Sequence, residues 1–173
     1  MVIDASVAQA AGPEGATHPI AKHCRDFLLT TADVSHRMIF TPAIEEEWNA
    51  HQSDFARRWR RSMFARKKID RLEVVADNTF REQLERAAVD DKQQDAMLKD
   101  AHLIEAARAS GLRVVSRDDA VRGYFREAAP SVAALRNVCW INPVNAHEQP
   151  LEWLRAGAPA DLFRKLGGSS PGE

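Results

Sequence analysis

Four carboxylates stand where folding could bring them together around a divalent cation. Asp4 directly follows a short apolar run, Glu47 lies in the first turns after a second apolar run, and Asp100 and Asp118 lie on either side of a third. Mg²⁺ and Mn²⁺ prefer oxygen ligands, keep several waters and bind substrate phosphates. Such a cation can lower the pKa of a bound water and stabilise the charge that develops in a phosphodiester displacement. The four carboxylates therefore indicate metal-assisted phosphodiester hydrolysis as the candidate chemistry.

The stretch between Asp100 and Asp118 predicts how two of these carboxylates meet. Residues 100–109 have helical apolar spacing, Gly111 follows as a stop, and residues 112–116 are typical of a buried strand. The helix would descend about 15 Å and the strand would rise by a similar amount. We therefore expect both aspartates at the carboxyl edge of a parallel sheet, where open α/β folds bind ligands. The alternative is that Asp118 only caps a helix and Asp100 is a solvated surface acid.

Strands and helices alternate along the rest of the chain. We predict strands at 1–6, 37–40, 112–116 and 137–141, a loop at 8–14, and helices at 19–34, from 42 onward, 79–89, from about 91 to 109, 120–129 and 150–156. This alternation is typical of a parallel sheet that is covered by helices on both faces.

Three adjacent glutamates could supply the second acid, and helical angle distinguishes among them. Glu46 lies roughly 200° from the apolar Ile44 and faces away from the protein, whereas Glu47 lies roughly 60° from Ile44, beside Trp48. A favourable interaction with the helix dipole is sufficient to explain Glu45 and Glu46. We therefore choose Glu47 and keep Glu46 in reserve.

We predict that the middle of the chain, from about residue 51 to residue 99, is helical. It contains a basic segment. The residues predicted to contact a nucleic acid are Arg57, Arg58, Trp59, Arg60, Arg61, Arg66, Lys67 and Lys68. The arginines could bind a phosphate backbone while Trp59 stacks on a base. Alternatively, the aromatic residues pack inward and the arginines are solvated. We favour phosphate contact because Asp70 is the one acid between residues 57 and 71.

Composition sets broad limits. The chain has 173 residues, of which 45% are hydrophobic and 28% charged, which is typical of one soluble globular domain. We place this domain at 1–156 and a largely flexible tail at 157–173. The net charge of −1 excludes an overall basic protein. Cys24 and Cys139 indicate buried free thiols in a reducing cytoplasm, and we expect neither a membrane span nor a signal peptide.

Four motifs carry a resemblance to a known family. They are Val2-Ile-Asp4-Ala-Ser6, Thr41-Pro-x-x-x-x-Glu47, Lys99-Asp100-Ala and Val114-Val-Ser116-Arg-Asp118. In order and spacing they resemble the signature acids of PIN-domain nucleases, including the VapC-type toxin ribonucleases, over residues 2–143. The resemblance implies a three-layer αβα fold with a mainly parallel sheet, here with the basic helical insertion. It also implies Mg²⁺- or Mn²⁺-dependent cleavage of RNA, a frequent homodimer and, for a toxin, a cognate antitoxin.

The resemblance also implies roles for individual residues. Asp4, Asp100 and Asp118 would be the principal metal ligands, and Glu47 would complete the metal site directly or through water. Ser6 and Ser116 would orient a ligand carboxylate or a water. For each serine, a local hydrogen bond to the backbone is an equally open alternative.

Two other classes of function fit parts of the pattern. A non-catalytic PIN-like protein would bind RNA or act as a scaffold without cleaving it. A phosphotransfer domain of the receiver or haloacid-dehalogenase type would also place acids at this edge. The dehalogenase type expects Asp-x-Asp where this chain has Asp4-Ala-Ser6, and a lysine where it has Arg117-Asp118. The sequence therefore favours the nuclease.

Overall fold

The computed structural model describes residues 1–168 and is built around one sheet of five parallel strands with helices on both sides. The strands are β1 (Val2–Ile3), β2 (Met38–Phe40), β3 (Ile69–Arg71), β4 (Arg113–Val115) and β5 (Cys139–Ile141). They lie in the order β3-β2-β1-β4-β5, and each neighbouring pair is parallel. The predicted αβα fold class is therefore confirmed.

Helices connect the strands and begin mostly at residues that can cap them. Those of the α type are α1 (Ala5–Ala10), α2 (Pro19–Asp33), α3 (Pro42–His51), α4 (Asp54–Ala65), α5 (Asn78–Ala87), α6 (Asp91–Arg108), α7 (Asp119–Ala128) and α8 (Pro150–Arg155). The side chain of Thr41 accepts a hydrogen bond from the first turn of α3, and Asp90 does the same for α6. Among residues 1–168, no helix has the length and apolar character that crossing a membrane requires.

The core of the sheet also positions the second acid. Trp48 and Trp140 are among the largest fully buried side chains, and they pack in the apolar layers around the sheet. The indole Nε1 of Trp48 donates a 2.8 Å hydrogen bond to the carbonyl oxygen of Ile3, the last residue of β1. This bond fixes α3 against β1, so Glu47 on α3 is held near Asp4, which follows β1.

The winding direction of the chain reverses between β1 and β4. The chain moves outward from β1 to β2 and β3, then returns to place β4 and β5 on the other side of β1. Val2 accordingly pairs with Ile39 on one side and with Val114 on the other. A reversal of this kind leaves a crevice at the carboxyl ends of the two central strands. Asp4 and Ser116 are the first residues beyond those ends.

Two elements differ from the prediction. β3 lies within residues 51–99 and pairs with β2, so this segment is part of the sheet and not a purely helical insertion. The sequence Ile-Asp-Arg of β3 has the charges of an edge strand and no apolar run that would mark it. α1 forms where a strand end and a loop were predicted, because its small residues show no helical apolar pattern over so short a stretch.

The domain continues beyond residue 156, so the predicted boundary was wrong. Ala158 and Leu166 are buried, and the backbone N–H of Leu166 donates a 2.9 Å hydrogen bond to the carbonyl of Val138. Lys165 also forms an antiparallel bridge with Cys139 in β5. These contacts join residues far apart in the chain, which local composition does not reveal. The remaining part of the predicted tail, from residue 169, lies outside the described residues.

Candidate active site

A cavity of about 260 Å³, which we name the acid cavity, contains all four predicted acids at the carboxyl end of the sheet. Its lining consists of Asp4, Ala5, Ser6, Gln9, Glu47, His51, Lys99, Asp100 and Asp118. The acids come from four separate segments: the ends of β1 and β4, and the helices α3 and α6. Their convergence follows from the reversal of winding between the two central strands.

Two serine hydroxyls hold Asp4. Oδ2 of Asp4 accepts a hydrogen bond of 2.6 Å from Ser116 Oγ and another from Ser6 Oγ. Each serine oxygen also accepts a backbone N–H from the loop after β4, at 3.1 Å from Asp118 and at 3.3 Å from Arg117. Each serine therefore contacts both the Asp4 carboxylate and the backbone of the loop after β4.

Asp118 combines a cap with a position in the acid cavity. Its Oδ1 accepts a 2.9 Å hydrogen bond from the backbone N–H of Val121, so it is the N-cap of α7. The side chain is nevertheless solvent-exposed and lines the cavity. The cap fixes the carboxylate through one oxygen and leaves the other oxygen available to a ligand.

The pKa of Asp100 lies above its ordinary value. Burial raises the pKa of its carboxyl to about 6, and the negative charges of Asp4 and Asp118 add to the increase. The positive charges of Lys99 and His102 oppose it. Asp100 is half-buried, so the prediction of a shared edge with Asp118 fits better than that of a solvated surface acid.

Glu47 faces a histidine across the cavity wall. Nε2 of His102 lies 3.3 Å from Oε2 of Glu47, an ion-pair distance outside hydrogen-bond geometry, and its Nδ1–H donates to the carbonyl of Lys99 at 2.9 Å. The neighbouring imidazole lowers the pKa of Glu47. Burial favours the neutral form of His102, but the contacts with Glu47 and the Lys99 carbonyl together raise its pKa. His102 was not among the predicted site residues.

The three adjacent glutamates have different surroundings. Glu46 is exposed and lies outside the acid cavity, as its helical angle predicted. Glu45 forms ion pairs with Arg60 at 2.6 Å and Arg71 at 2.9 Å, and these arginines hold its pKa below the ordinary value, Arg71 most strongly. Glu47 is the member of the trio that reaches the cavity.

Three further polar residues of the cavity were not predicted. Gln9 belongs to the missed helix α1, so no signal was available for it. His51 lies one helical turn after Glu47, at the i+4 spacing that places both side chains on one face. Lys99 directly precedes Asp100, and its ammonium group forms no hydrogen bond or ion pair with the described residues. The helical spacing could have identified His51.

The residues predicted to contact a nucleic acid differ in their exposure to solvent. Trp59 is 5% exposed, donates a 2.7 Å hydrogen bond to the carbonyl of Leu28 and stacks on Trp48, so its predicted role in base stacking was wrong. The guanidinium of Arg60 forms an ion pair with Glu45 at 2.6 Å. The exposed cations of the predicted set are Arg57, Arg58, Arg61, Arg66 and Lys67, with Lys68 half-buried.

The donor chemistry of the acid cavity fits Mg²⁺ or Mn²⁺. Asp4, Glu47, Asp100 and Asp118 offer carboxylate oxygens. Burial is the main cause of the raised pKa of Asp100, and the charges of Asp4 and Asp118, which a cation would offset, raise it further. Within residues 1–168, no group of three or more His, Cys, Asp and Glu side chains is arranged so that it could hold a metal ion as it stands. Mg²⁺ usually keeps several waters among its ligands.

Comparison with known proteins leaves the site to be interpreted from its geometry. The chain matches no family model, no curated protein and no solved structure.

Proposed function

We propose that the protein is a PIN-like endoribonuclease that hydrolyses RNA phosphodiester bonds at the acid cavity with Mg²⁺ or Mn²⁺. The observation that carries this proposal is the meeting of Asp4, Glu47, Asp100 and Asp118 in one cavity at the reversal of winding. Capping or surface solvation would explain each acid singly, but neither explains why acids from four segments line one cavity. The choice of RNA over other phosphodiesters rests on the family resemblance of the four motifs.

Each acid would have a distinct part in the reaction. Asp4, Asp100 and Asp118 would hold the cation, and Glu47 would contact it directly or through water. When bound, such a cation lowers the pKa of a water and offsets the charge that develops on the phosphate. The serine hydroxyls keep the Asp4 carboxylate in one orientation, so no reorganisation is needed during the reaction.

Cationic side chains at the cavity would assist substrate binding. Lys99 lines the acid cavity and its side chain forms no hydrogen bond or ion pair with the described residues, so its ammonium group can contact a non-bridging phosphate oxygen. His51 lines the cavity as well and can donate a hydrogen bond to the same group. These contacts would attract a phosphodiester to a cavity whose carboxylates alone would repel it.

The cellular setting belongs to the proposal as well. Cys24 and Cys139 are free and buried, which suits the reducing cytoplasm, where we propose that the protein acts. A homodimer and a cognate antitoxin follow from the resemblance to VapC-type toxins alone. Light scattering of the purified protein, and co-purification from its native cell, would test these two partners.

The direct experiment is incubation of purified protein with assorted RNAs in Mg²⁺, Mn²⁺ or EDTA, followed by mapping of new RNA ends. Internal cleavage that depends on the metal supports the proposal. RNA binding without cleavage in either metal would select the alternative, a non-catalytic PIN-like RNA-binding or scaffold protein.

A further inference from the structure

A second cavity, of about 380 Å³, opens between the C-terminal end of α3 and α4. We name it the arginine cavity, and its lining is Asn49, Gln52, Arg57, Arg60, Arg61 and Phe64. Gln52 directly follows His51, which lines the acid cavity. The C-terminal end of α3 therefore contributes a neighbouring residue to each of the two cavities.

One arginine of this cavity is part of its rigid wall. The guanidinium of Arg60 donates to Asn49 at 2.7 Å and to Glu45 at 2.6 Å. It also lies over the rings of Phe40 and Phe64, with distances of 4.9 and 5.7 Å to their centroids. Its charge is thus neutralised by Glu45, and its position is fixed by contacts on several sides.

The positive charges of the other two arginines are largely not neutralised by acidic residues of the protein. Arg57 and Arg61 are exposed and lie one turn apart on the same face of α4. Arg57 has one acidic contact, at 3.3 Å from the largely exposed Asp54, a type of pair that contributes little in water. Arg61 forms no ion pair or hydrogen bond with the described residues. Two guanidinium groups at this spacing favour an anion with several oxygens, such as a phosphodiester.

Gln52 adds a polar group that the protein leaves unsatisfied. Its Oε1 is buried and has no hydrogen-bond partner among residues 1–168. A buried acceptor without a partner is costly, so the amide can turn toward a donor on a ligand with little loss. Anionic oxygens for the arginines and a hydroxyl donor for the amide occur together in a ribose–phosphate chain.

We propose that the arginine cavity binds the sugar–phosphate backbone of the same RNA strand that the acid cavity cleaves. This inference rests on the proposed function for the identity of the strand. A single strand that passes over the end of α3 would place one phosphate at the acids and a neighbouring segment between Arg57 and Arg61. The cavity would thereby set the direction in which the strand crosses the site.

A matched pair of double variants tests this inference. Arg57→Gln with Arg61→Gln removes two charges from the cavity, and Arg86→Gln with Lys92→Gln removes two exposed charges that lie outside both the cavity and the predicted nucleic-acid contacts. Glutamine has a helix propensity close to that of arginine, and circular dichroism would verify that both variants stay folded. Binding of a fluorescein-labelled oligouridine is measured by anisotropy in EDTA over a range of salt concentrations.

We expect the cavity variant to lose about tenfold or more in affinity and to flatten the log–log salt slope by about 1.4, the value for two phosphate contacts on a single strand. The control variant should lose less than about threefold, because its charges contribute only a screened field. Equal losses in the two variants, or no loss in the cavity variant, would overturn the inference.

The two proposals can fail separately. Binding in EDTA does not require the metal, so a lack of cleavage would reject the nuclease without changing the binding comparison. Conversely, metal-dependent cleavage with equal binding by both double variants would reject the arginine cavity and leave the nuclease in place.

Discussion

The hydroxyl of Ser116 donates a 2.6 Å hydrogen bond to Oδ2 of Asp4 and so joins the carboxyl ends of two neighbouring parallel strands. Ser116 is fully buried, and its oxygen also accepts the backbone N–H of Asp118 at 3.1 Å. One hydroxyl thus orients the first acid and holds the backbone that carries the last. The geometry of the acid cavity depends on this side chain as well as on the carboxylates.

Replacing Ser116 should therefore impair the site without removing an acid. In Ser116→Ala, Ser6 is the one remaining hydrogen-bond donor to the Asp4 carboxylate among residues 1–168, and we expect metal-dependent cleavage to fall by about 10- to 100-fold. Stability should fall by about 1 kcal/mol in urea unfolding. Ser110→Ala is the control, because that hydroxyl bonds only to helix carbonyls of α6 and should not affect cleavage. Cleavage by Ser116→Ala at the wild-type rate would contradict this role.

Neighbouring glutamates on α3 provide a second comparison. Glu47→Gln should lower metal-dependent activity at least about tenfold, because it removes a carboxylate from the acid cavity. Glu46→Gln should leave activity unchanged, since Glu46 is exposed and lies outside the cavity. Initial cleavage rates and Mn²⁺ titration calorimetry measure both effects. The reverse ranking would show that Glu46 supplies the second acid.

Local signals in the sequence were sufficient for most of the fold. The cap at Thr41 with Pro42 marked the start of α3, and apolar runs marked the buried strands. The angle between Ile44 and Glu47 also identified the glutamate that reaches the cavity, because it depends only on the regular geometry of a helix.

Features that depend on long-range contacts could not be predicted in this way. β3 was missed because an edge strand needs no apolar run, and burial of Leu166 depends on Val138, far away in the chain. The basic sequence around Trp59 is compatible with a buried or an exposed tryptophan. The packing of Trp59 against Trp48 shows that it is buried. The contact between His102 and Glu47 joins two helices, so local sequence patterns could not reveal it.

The raised pKa of Asp100 predicts a pH-dependent stability of the metal-free protein. In the unfolded chain this carboxyl ionises near pH 3.9, whereas in the folded protein its pKa is about 6. The folded state therefore binds the proton more tightly, and stability should fall as the pH rises from about 4 to about 6 and then level off, by on the order of 3 kcal/mol.

Asp100→Asn should remove this part of the pH dependence and stabilise the metal-free protein above about pH 6. Urea unfolding in EDTA across this pH range would measure it. Asp95→Asn is the matched control, because Asp95 is exposed on the same helix and lies outside the acid cavity. If wild type and Asp100→Asn lose stability in parallel as the pH rises, the pKa of Asp100 is not raised in the folded protein.

Trp59 should behave as a core residue. Trp59→Ala removes a buried ring and its hydrogen bond to Leu28, so the free energy of unfolding should fall by about 3–5 kcal/mol. The RNA affinity of the folded fraction should not change. Arg58→Ala, at the adjacent exposed position, is the control for stability. A loss of RNA affinity at an unchanged melting temperature would instead indicate base stacking.

Measuring RNA cleavage by Asp118→Asn is the sharpest test of whether the acid cavity is the catalytic site. Asparagine caps a helix about as well as aspartate, so the hydrogen bond from Val121 and the fold should be retained. The substitution removes one negative charge from the acid cavity and little else. Rates should be measured for wild type and variant in Mn²⁺ and in EDTA on the same RNA, with the melting temperatures compared. We expect metal-dependent cleavage by the wild type and none by the folded variant, whereas cleavage by Asp118→Asn at a near wild-type rate would reject catalysis at the acid cavity.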